Sequence, residues 1–300
     1  MVKKLESLMG RFIWKGRLLR VALQELKNDH IKGGLKLICV ETMSSALLSS
    51  QCIRLLKSND EKSISHVVYW MRSLLQNFLP SLSPGVEAVN TPEYFSIIGQ
   101  NLSDIMISDL LSTETFLNIT NRMIYKDLSD FPITKVEQEN VGVNFAVVWK
   151  RLHSGIFSLA ESECQFILIH NKLPVPERLH RVGLKDDPHC LWCPGNILGD
   201  IPHYFCSCLK TKILWTWLKS IILKKGNFRS VSDLDLLRLS FPQRAQEKAI
   251  TWLIGSYTWY AWQNARGDTG DELKLEKFFG FLSFKYKDVK SIVGAIDGLG

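Results

Sequence analysis

The sequence predicts a mainly α-helical protein, an array of helices with one small knuckle (residues 188–208) that cysteine and histidine side chains staple together. Three observations lead to this fold class. Apolar residues recur at helical spacing near the N-terminus, and a second stripe of this kind covers residues 213–222 before a glycine stop at Gly226. Residues 250–262 are apolar nearly all round, which is typical of a buried helix. The segment 188–217, which runs into the second stripe, contains four of the seven cysteines.

Glycine and proline residues separate the predicted helices. The N-terminal stripe consists of Val2, Leu5, Met9, Phe12 and Ile13, and Gly16 is expected to end its helix. The turn Lys32-Gly33-Gly34 ends the second element, and residues 129–144 are expected to be connecting chain. The predicted helices are residues 2–16, 21–31, 43–57, 64–79, 92–117, 121–128, 147–152, 161–170, 176–183, 213–226 and 250–262.

Charge and turn residues divide the chain into three parts. Residues 1–36 contain nine basic residues against three acidic ones, residues 85–140 are acidic, and residues 149–229 are basic again. The turn Ser81-Leu-Ser-Pro84-Gly85 is the best internal boundary. We therefore predict a basic helical region at 1–85, an acidic helical connecting region at 86–146, and a helical domain with the knuckle at 147–300.

Composition limits the class of protein. The chain has 300 residues, 46% of them hydrophobic and 22% charged, with a net charge of +7, which is ordinary for a globular protein and permits contact with nucleic acid. No apolar run approaches the roughly 18 to 20 residues of a membrane span, so no membrane partner is expected. Cys39, Cys52 and Cys164 are scattered among apolar residues and make the total odd, which favours a reducing compartment. The expected location is intracellular, either nuclear or cytoplasmic.

The cysteines of the knuckle have the spacing of metal ligands. Two residues separate Cys190 from Cys193, so one tight turn can aim two thiolates at a single ion, and His203 with either Cys206 or Cys208 supplies a second pair. Three cysteines and one histidine would form a closed tetrahedral Zn²⁺ site, which stabilises a fold and leaves no position for catalytic water. The spacing alone leaves Cys206 and Cys208 as alternatives. A chance cluster of buried or free cysteines is the competing interpretation.

This segment resembles the zinc-binding segment near the C-terminus of reverse transcriptases from non-LTR (LINE-type) retrotransposons. The family pattern is C-x2-C, a short spacer, Glu-Thr-x-x-His, four residues and a cysteine. The resemblance implies that the ligands are Cys190, Cys193, His203 and Cys208, with Cys206 as an extra cysteine. Gly199 and Asp200 stand where the family has its Glu-Thr pair.

Other segments carry the same resemblance over most of the chain. Residues 12–16 and 31–37 are similar to the part of these polymerases that follows the catalytic palm, in and beyond the thumb, and Tyr125 also recurs there. Residues 170–184, Trp215, Trp217 and residues 259–264 are similar to the surroundings of the zinc segment. The resemblance implies a thumb-like region at 1–85 and a reverse-transcriptase-type zinc-binding domain at 147–300.

Catalytic patterns are missing from the sequence. A polymerase palm needs carboxylates that converge on paired metal ions, and the only adjacent aspartates, Asp186 and Asp187, lie in a turn between Lys185 and Pro188. The sequence also lacks a phosphate loop of the G-x4-G-K-[ST] type, an H-E-x-x-H motif and a G-x-S-x-G motif. We therefore expect no enzymatic activity.

The expected function is zinc-dependent binding of RNA, single-stranded DNA or both. The zinc ion would hold a basic surface in place, with Trp192 as the stacking or metal-capping aromatic. The candidate nucleic-acid contacts are Arg178, Arg181, Lys185, Trp192, Lys210 and Lys212 around the knuckle, and Lys4, Arg11 and Lys15 on the first helix. The alternative is a structural module that docks a protein partner, such as a polymerase supplied separately, or an expressed relic without a selected role.

Overall fold

The computed structural model describes residues 2–15, 21–58, 60–75, 90–108, 117–129, 132–244, 246–264 and 272–285. Within these ranges the chain is mostly helical and has no strand, which confirms the predicted fold class. The helices are α1 (Val2–Ile13), α2 (Leu23–Lys27), α3 (Val40–Leu56), α4 (Glu61–Leu75), α5 (Glu93–Ser108), α6 (Asn121–Leu128), α7 (Lys135–Glu139), α8 (Phe145–Leu152), α9 (Leu159–Ile169), α10 (Pro176–Arg181), α11 (Lys212–Gly226), α12 (Asp233–Leu237), α13 (Glu247–Asn264) and α14 (Leu275–Lys285). A 3₁₀ helix spans His30–Lys32 and a π-helix spans His203–Ser207.

The chain forms two compact units. The first unit contains residues 1–17 and 37–132, and the second contains residues 18–36 and 133–300. The predicted boundary near residue 85 and the predicted helix stop at Gly16 lie outside the described residues. The three-part division stays a prediction.

The first unit is built around α3, which contacts α1, α4, α5 and α6. Its small residues allow close approach, since Ala46 and Ser49 are fully buried. The shared core includes Ile53, Val67, Met71, Ile98, Leu102 and Ile124. Cys52 belongs to this core, 3.3 Å from the sulfur of Met71, and burial raises the pKa of its thiol to about 12. Cys52 is therefore a packing residue.

The second unit is centred on the contact between α9 and α13. α13 is buried on nearly all sides, as its apolar sequence predicts. Polar groups interlock the two helices. Glu161 is fully buried, closes a capping box with Ser158 and accepts a hydrogen bond from the Ser256 hydroxyl at 3.0 Å. Thr258 donates to the Gln165 side chain at 2.8 Å. These bonds fix α13, which in turn contacts the π-helix of the knuckle through Tyr257.

The glycine turn at 33–34 is tied to α8 and α9 in the second unit. His170 follows α9 and is buried, and its Nε2 donates to the carbonyl oxygen of Gly33 at 3.0 Å. Burial lowers the pKa of His170 to about 4, so the ring is neutral near pH 7. The His170 ring also stacks on Trp149, whose indole N–H donates to Glu137 at 2.6 Å. The turn at 33–34 is thereby held against α8 and α9 by the buried pair of His170 and Trp149.

Candidate metal centre

A short hairpin-like loop presents the first two cysteines. The backbone N–H of Cys190 donates to the Ile197 carbonyl at 2.8 Å, and that of Gly199 donates to the Pro188 carbonyl at 2.9 Å. A single antiparallel bridge joins His189 to Leu198. The reversal lies at Gly195 and Asn196, both with positive φ. This pairing places Cys190 and Cys193 close to His203 of the π-helix.

The π-helix presents His203 and Cys208 together. The Cys208 backbone N–H donates to the carbonyl oxygen of His203 at 2.7 Å, a bond that spans five residues. The carboxylate of Asp200 accepts the His203 backbone N–H at 2.8 Å and so caps the start of this turn. Tyr257 of α13 holds the π-helix in place, because its hydroxyl donates a hydrogen bond to the Phe205 carbonyl. The imidazole is thus positioned by backbone bonds at both ends of the π-helix.

The ligand atoms of Cys190, Cys193, His203 and Cys208 all lie within 4.8 Å of one another. The Cys208 sulfur is 3.8 Å from each of the other two sulfurs. That separation is the edge of a tetrahedron whose centre lies about 2.3 Å from each sulfur, the length of a zinc–thiolate bond. A disulfide would need about 2.05 Å. All the cysteines are free thiols, so the cluster has the dimensions of a metal site.

The histidine has one nitrogen available for a metal. Nδ1 of His203 lies 3.2 Å from the Ser207 hydroxyl, whereas Nε2 is buried and has no hydrogen-bond partner within the described structure. Burial lowers the pKa of His203, which keeps the ring neutral as a metal ligand requires. A buried, unpartnered Nε2 among three thiols is satisfied by a cation.

Backbone N–H groups support the thiolates. The Leu209 N–H donates to the Cys193 sulfur at 3.3 Å. Burial raises the pKa of the Cys208 thiol to about 12, and a hydrogen bond from the Lys210 backbone N–H partly offsets this rise. Without a cation the Cys208 thiol favours the protonated state, so a divalent ion would have to displace its proton on binding.

Cys206 lies outside the cluster. It occupies the middle of the π-helix, is buried and is absent from the group of converging ligand atoms. Burial raises the pKa of its thiol, and the charge of Asp233 adds to that effect. Of the two alternatives that the spacing left open, the structure places Cys208 with the other ligands.

The predicted basic residues differ in accessibility. Arg181 and Lys212 are exposed, and Arg178 and Lys185 are partly buried. Arg181 forms an exposed ion pair with Glu177 at 3.4 Å. On α1 and just beyond it, in the first unit, Lys4, Arg11 and Lys15 are exposed.

Lys210 and Trp192 form a pair beside the cysteines. Lys210 is only 2% exposed, and its ammonium group lies 4.1 Å from the centre of the Trp192 ring. Trp192 is partly buried and meets Tyr204 edge-on at 6.2 Å. The cation–π contact therefore uses the lysine that we expected to reach a phosphate. Trp192 matches the metal-capping alternative better than an open stacking platform.

Two supporting residues were not predicted. Asp200 caps the π-helix, and Gly199 lies so close to α10 that an added Cβ would be 2.8 Å from the Pro176 side chain. In the sequence, both are distinguished only by standing where the similar family has its Glu-Thr pair. An aspartate three residues before a ligand histidine is a capping signal that the spacing rules for helix starts could have identified.

Asp186 and Asp187 are exposed in the loop before the knuckle. The Asp187 carboxylate accepts the backbone N–H of His189 at 3.0 Å and lies 2.6 Å from its ring Nδ1. These contacts lower the pKa of Asp187. This arrangement is that of a turn-capping carboxylate, as predicted.

Replacing Asp200 with alanine is expected to weaken metal binding by about tenfold, because it removes the acceptor that positions His203. Asp186→Ala, which changes an exposed carboxylate in the same loop region, is the matched control. Competition with a chromophoric chelator measures both affinities. Equal affinities in the two variants would show that the Asp200 cap has no part in positioning the ligand.

Comparison with protein-family models and with characterised proteins gives no match to this sequence. None of the helices in the described part of the chain combines the length and the apolar character that crossing a membrane requires.

Proposed function

We propose that the knuckle binds Zn²⁺ and that the chain is a non-catalytic, zinc-dependent nucleic-acid-binding module. The observation that carries this proposal is the convergence of Cys190, Cys193, His203 and Cys208 in a closed cluster with exposed cations nearby in sequence. A soft donor set of three thiolates and one imidazole in tetrahedral geometry selects zinc among the common divalent ions. With four protein ligands, the ion has no open position for a substrate.

The nucleic-acid part of the proposal rests on the accessible cations. Arg181 on α10 and Lys212 at the start of α11 are exposed, and Lys185, between Arg181 and Cys190 in the sequence, is partly exposed. Both helices adjoin segments that the metal would fix, so chelation removes the support of this basic surface. RNA and single-stranded DNA are the proposed ligands, with Lys4, Arg11 and Lys15 of the first unit as a second contact.

The resemblance to non-LTR retrotransposon reverse transcriptases supports the same proposal. Asp200 supports the histidine ligand through its backbone bond, at a position where the family carries part of its Glu-Thr pair. We propose that the chain derives from the post-palm region of such an enzyme and acts inside the cell without polymerase or endonuclease activity.

Exchanging Arg181 and Lys212 for glutamate is expected to weaken RNA binding. It should also reduce the slope of log Kd against the logarithm of the salt concentration by about one for each lost phosphate contact. Fluorescence anisotropy with a structured RNA and a single-stranded DNA, at about 50 and 200 mM salt, measures both effects. Lys62→Glu, an exposed charge reversal at the start of α4, is the control. Absence of binding by the folded, zinc-loaded protein would contradict the proposal.

A protein-docking role is the second candidate, because large apolar side chains are exposed near the ligands. They are Val182 (50% exposed), Leu184 (58%), Leu191 (69%), Leu209 (50%) and Ile213 (60%). Apolar docking changes little with salt, so binding to a polymerase or another protein that persists at high salt would favour this role.

A further inference from the structure

A cleft of about 720 Å³ lies in the second unit at the start of α13. Its wall combines the C-terminal part of α8, the end of α11 and the first turn of α13. The residues of the knuckle are not part of its wall as described. The cleft is therefore a separate feature from the metal centre.

The wall of this cleft is strongly basic. Five cations contribute to it, namely Lys150, Arg151, Lys225, Arg244 and Lys248. Among the described lining residues the only acid is Glu247, and its carboxylate is engaged by Arg151 Nε at 2.7 Å. Four cations thus remain beyond this ion pair, so the cleft attracts an anion.

Two buried polar groups in the wall have unused hydrogen-bonding capacity. Arg151 is 2% exposed, and its Nη1 donates to the carbonyl oxygens of Leu239 and Phe241 at 2.6 Å each. Its Nη2 has no partner among the residues that the structure describes, and neither has the hydroxyl of the fully buried Thr251. A buried polar atom without a partner is costly, and a ligand oxygen within hydrogen-bond distance would satisfy either group.

The backbone at the start of α13 adds to the preference of the cleft for an anion. α13 is 18 residues long, and the first turn of any α-helix has N–H groups without acceptors inside the helix. Glu247 and Ile250 donate to loop carbonyls at 3.0 and 3.1 Å, while the positive end of the helix dipole faces the same region. Ile156, Ile250 and Leu253 provide an apolar side to the wall.

We propose that this cleft binds a phosphate monoester. The cations and the start of α13 would hold the phosphate oxygens, with Arg151 and Thr251 completing their hydrogen bonds, and the apolar side would contact the group that carries the phosphate. The monoester comes either from a free nucleotide or from the terminal phosphate of an oligonucleotide. The proposal does not depend on the function proposed for the knuckle.

Changes in the backbone amide NMR chemical shifts of the full-length, zinc-loaded protein on addition of four probes test this inference. The probes are inorganic phosphate, adenosine monophosphate, and one single-stranded oligonucleotide with either a 5′-phosphate or a 5′-hydroxyl. We expect shifts centred on residues 248–251, and Lys248→Glu should weaken binding by about tenfold or more. Lys62→Glu is the matched control, and Arg181→Glu with Lys212→Glu should leave these shifts unchanged.

Thr251→Val separates binding from folding. The change removes a buried hydroxyl without a described partner, so stability should not fall, whereas affinity for the phosphate probe should fall several-fold. Saturable shifts with inorganic phosphate and adenosine monophosphate assign the cleft to nucleotides. Shifts only with the 5′-phosphorylated strand assign it to strand ends. If Lys248→Glu and Thr251→Val both bind like the control, or if the four probes give no shifts at residues 248–251, the proposal is overturned.

Discussion

Replacing Cys208 with alanine is expected to abolish metal binding and to unfold the knuckle, whereas Cys206→Ala should retain one metal ion per chain. Both cysteines are buried and lie two residues apart, but only Cys208 lies with the other ligand atoms. Metal coordination of this kind supplies about 10 kcal/mol or more of apparent binding free energy at pH 7, and that free energy stabilises the fold. Chelation of the wild-type protein should therefore give the same result as Cys208→Ala.

The structural reason is the small size of the knuckle. Residues 188–200 contain a single bridge, and only Cys190 and Gly199 among them are buried, so the segment has little apolar burial of its own. Metal content by mass spectrometry, together with limited proteolysis within 188–208, measures both effects. Retention of metal by Cys208→Ala and its loss from Cys206→Ala would assign the fourth ligand to Cys206 instead.

Gly34→Ala is expected to destabilise the second unit by several kcal/mol, on the order of the largest single-substitution effects. An added Cβ would lie 2.0 Å from the carbonyl oxygen of Asn28, and a backbone atom cannot move away cheaply. The turn that would shift is fixed by the bonds from Leu35 N–H to the Leu26 carbonyl and from Lys36 N–H to the Asn28 carbonyl. The neighbouring Gly33 carbonyl would move with it, and with that carbonyl the contact to His170.

Gly280→Ala is the matched control for this prediction. Gly280 lies inside α14, and an added Cβ would meet no atom within 4 Å in the described structure, so alanine should stabilise the helix by up to about 1 kcal/mol. Urea unfolding followed by tryptophan fluorescence compares the two variants. Equal midpoints for Gly34→Ala and Gly280→Ala would contradict the close approach at Asn28.

Helical periodicity predicted most of the fold because it depends on local spacing. The apolar stripe predicted the helix at Val2–Ile13, and the helix predicted at 176–183 begins at Pro176, as α10 does. Periodicity does not identify what a face contacts. Phe12 belongs to the predicted apolar stripe but is 85% exposed.

The apolar stripe of α11 shows the same limit. Helical spacing predicts one apolar face made of Ile213, Leu214, Trp217, Leu218, Ile221 and Ile222. In the structure, however, Ile213 is 60% exposed and Trp215 is buried. Six apolar residues span more than one face of a helix, and tertiary contacts decide which edge is covered. Trp215 lies 5.2 Å from the Tyr257 ring of α13, which selects the edge at 214, 215, 218 and 222.

The prediction that residues 129–144 are connecting chain was wrong at Lys135–Glu139, where α7 forms. Its sequence has little helical pattern, and long-range contacts stabilise it. Val136 is buried, and the Lys135 backbone N–H donates to the Glu25 carboxylate at 2.9 Å. Contacts between residues more than a hundred positions apart cannot be found from a local pattern.

Ligand spacing predicted the metal site more fully than the surface around it. The choice between Cys206 and Cys208 required the π-helix, which local propensity does not predict. The burial of Lys210 against Trp192 likewise depends on how the loop folds back, since a lysine two residues after a ligand reads as an exposed cation in the sequence.

X-ray absorption at the zinc edge of the purified, full-length protein tests the central claim most directly. We predict one tetrahedral zinc ion with three sulfur ligands at about 2.3 Å and one nitrogen ligand at about 2.0 Å. The zinc shell should disappear in Cys208→Ala, which is expected to lose the metal, and stay unchanged in Cys206→Ala. A shell of four sulfurs, a shell that contains oxygen, or a folded protein that binds no zinc would contradict the assignment of the knuckle as a closed structural metal site.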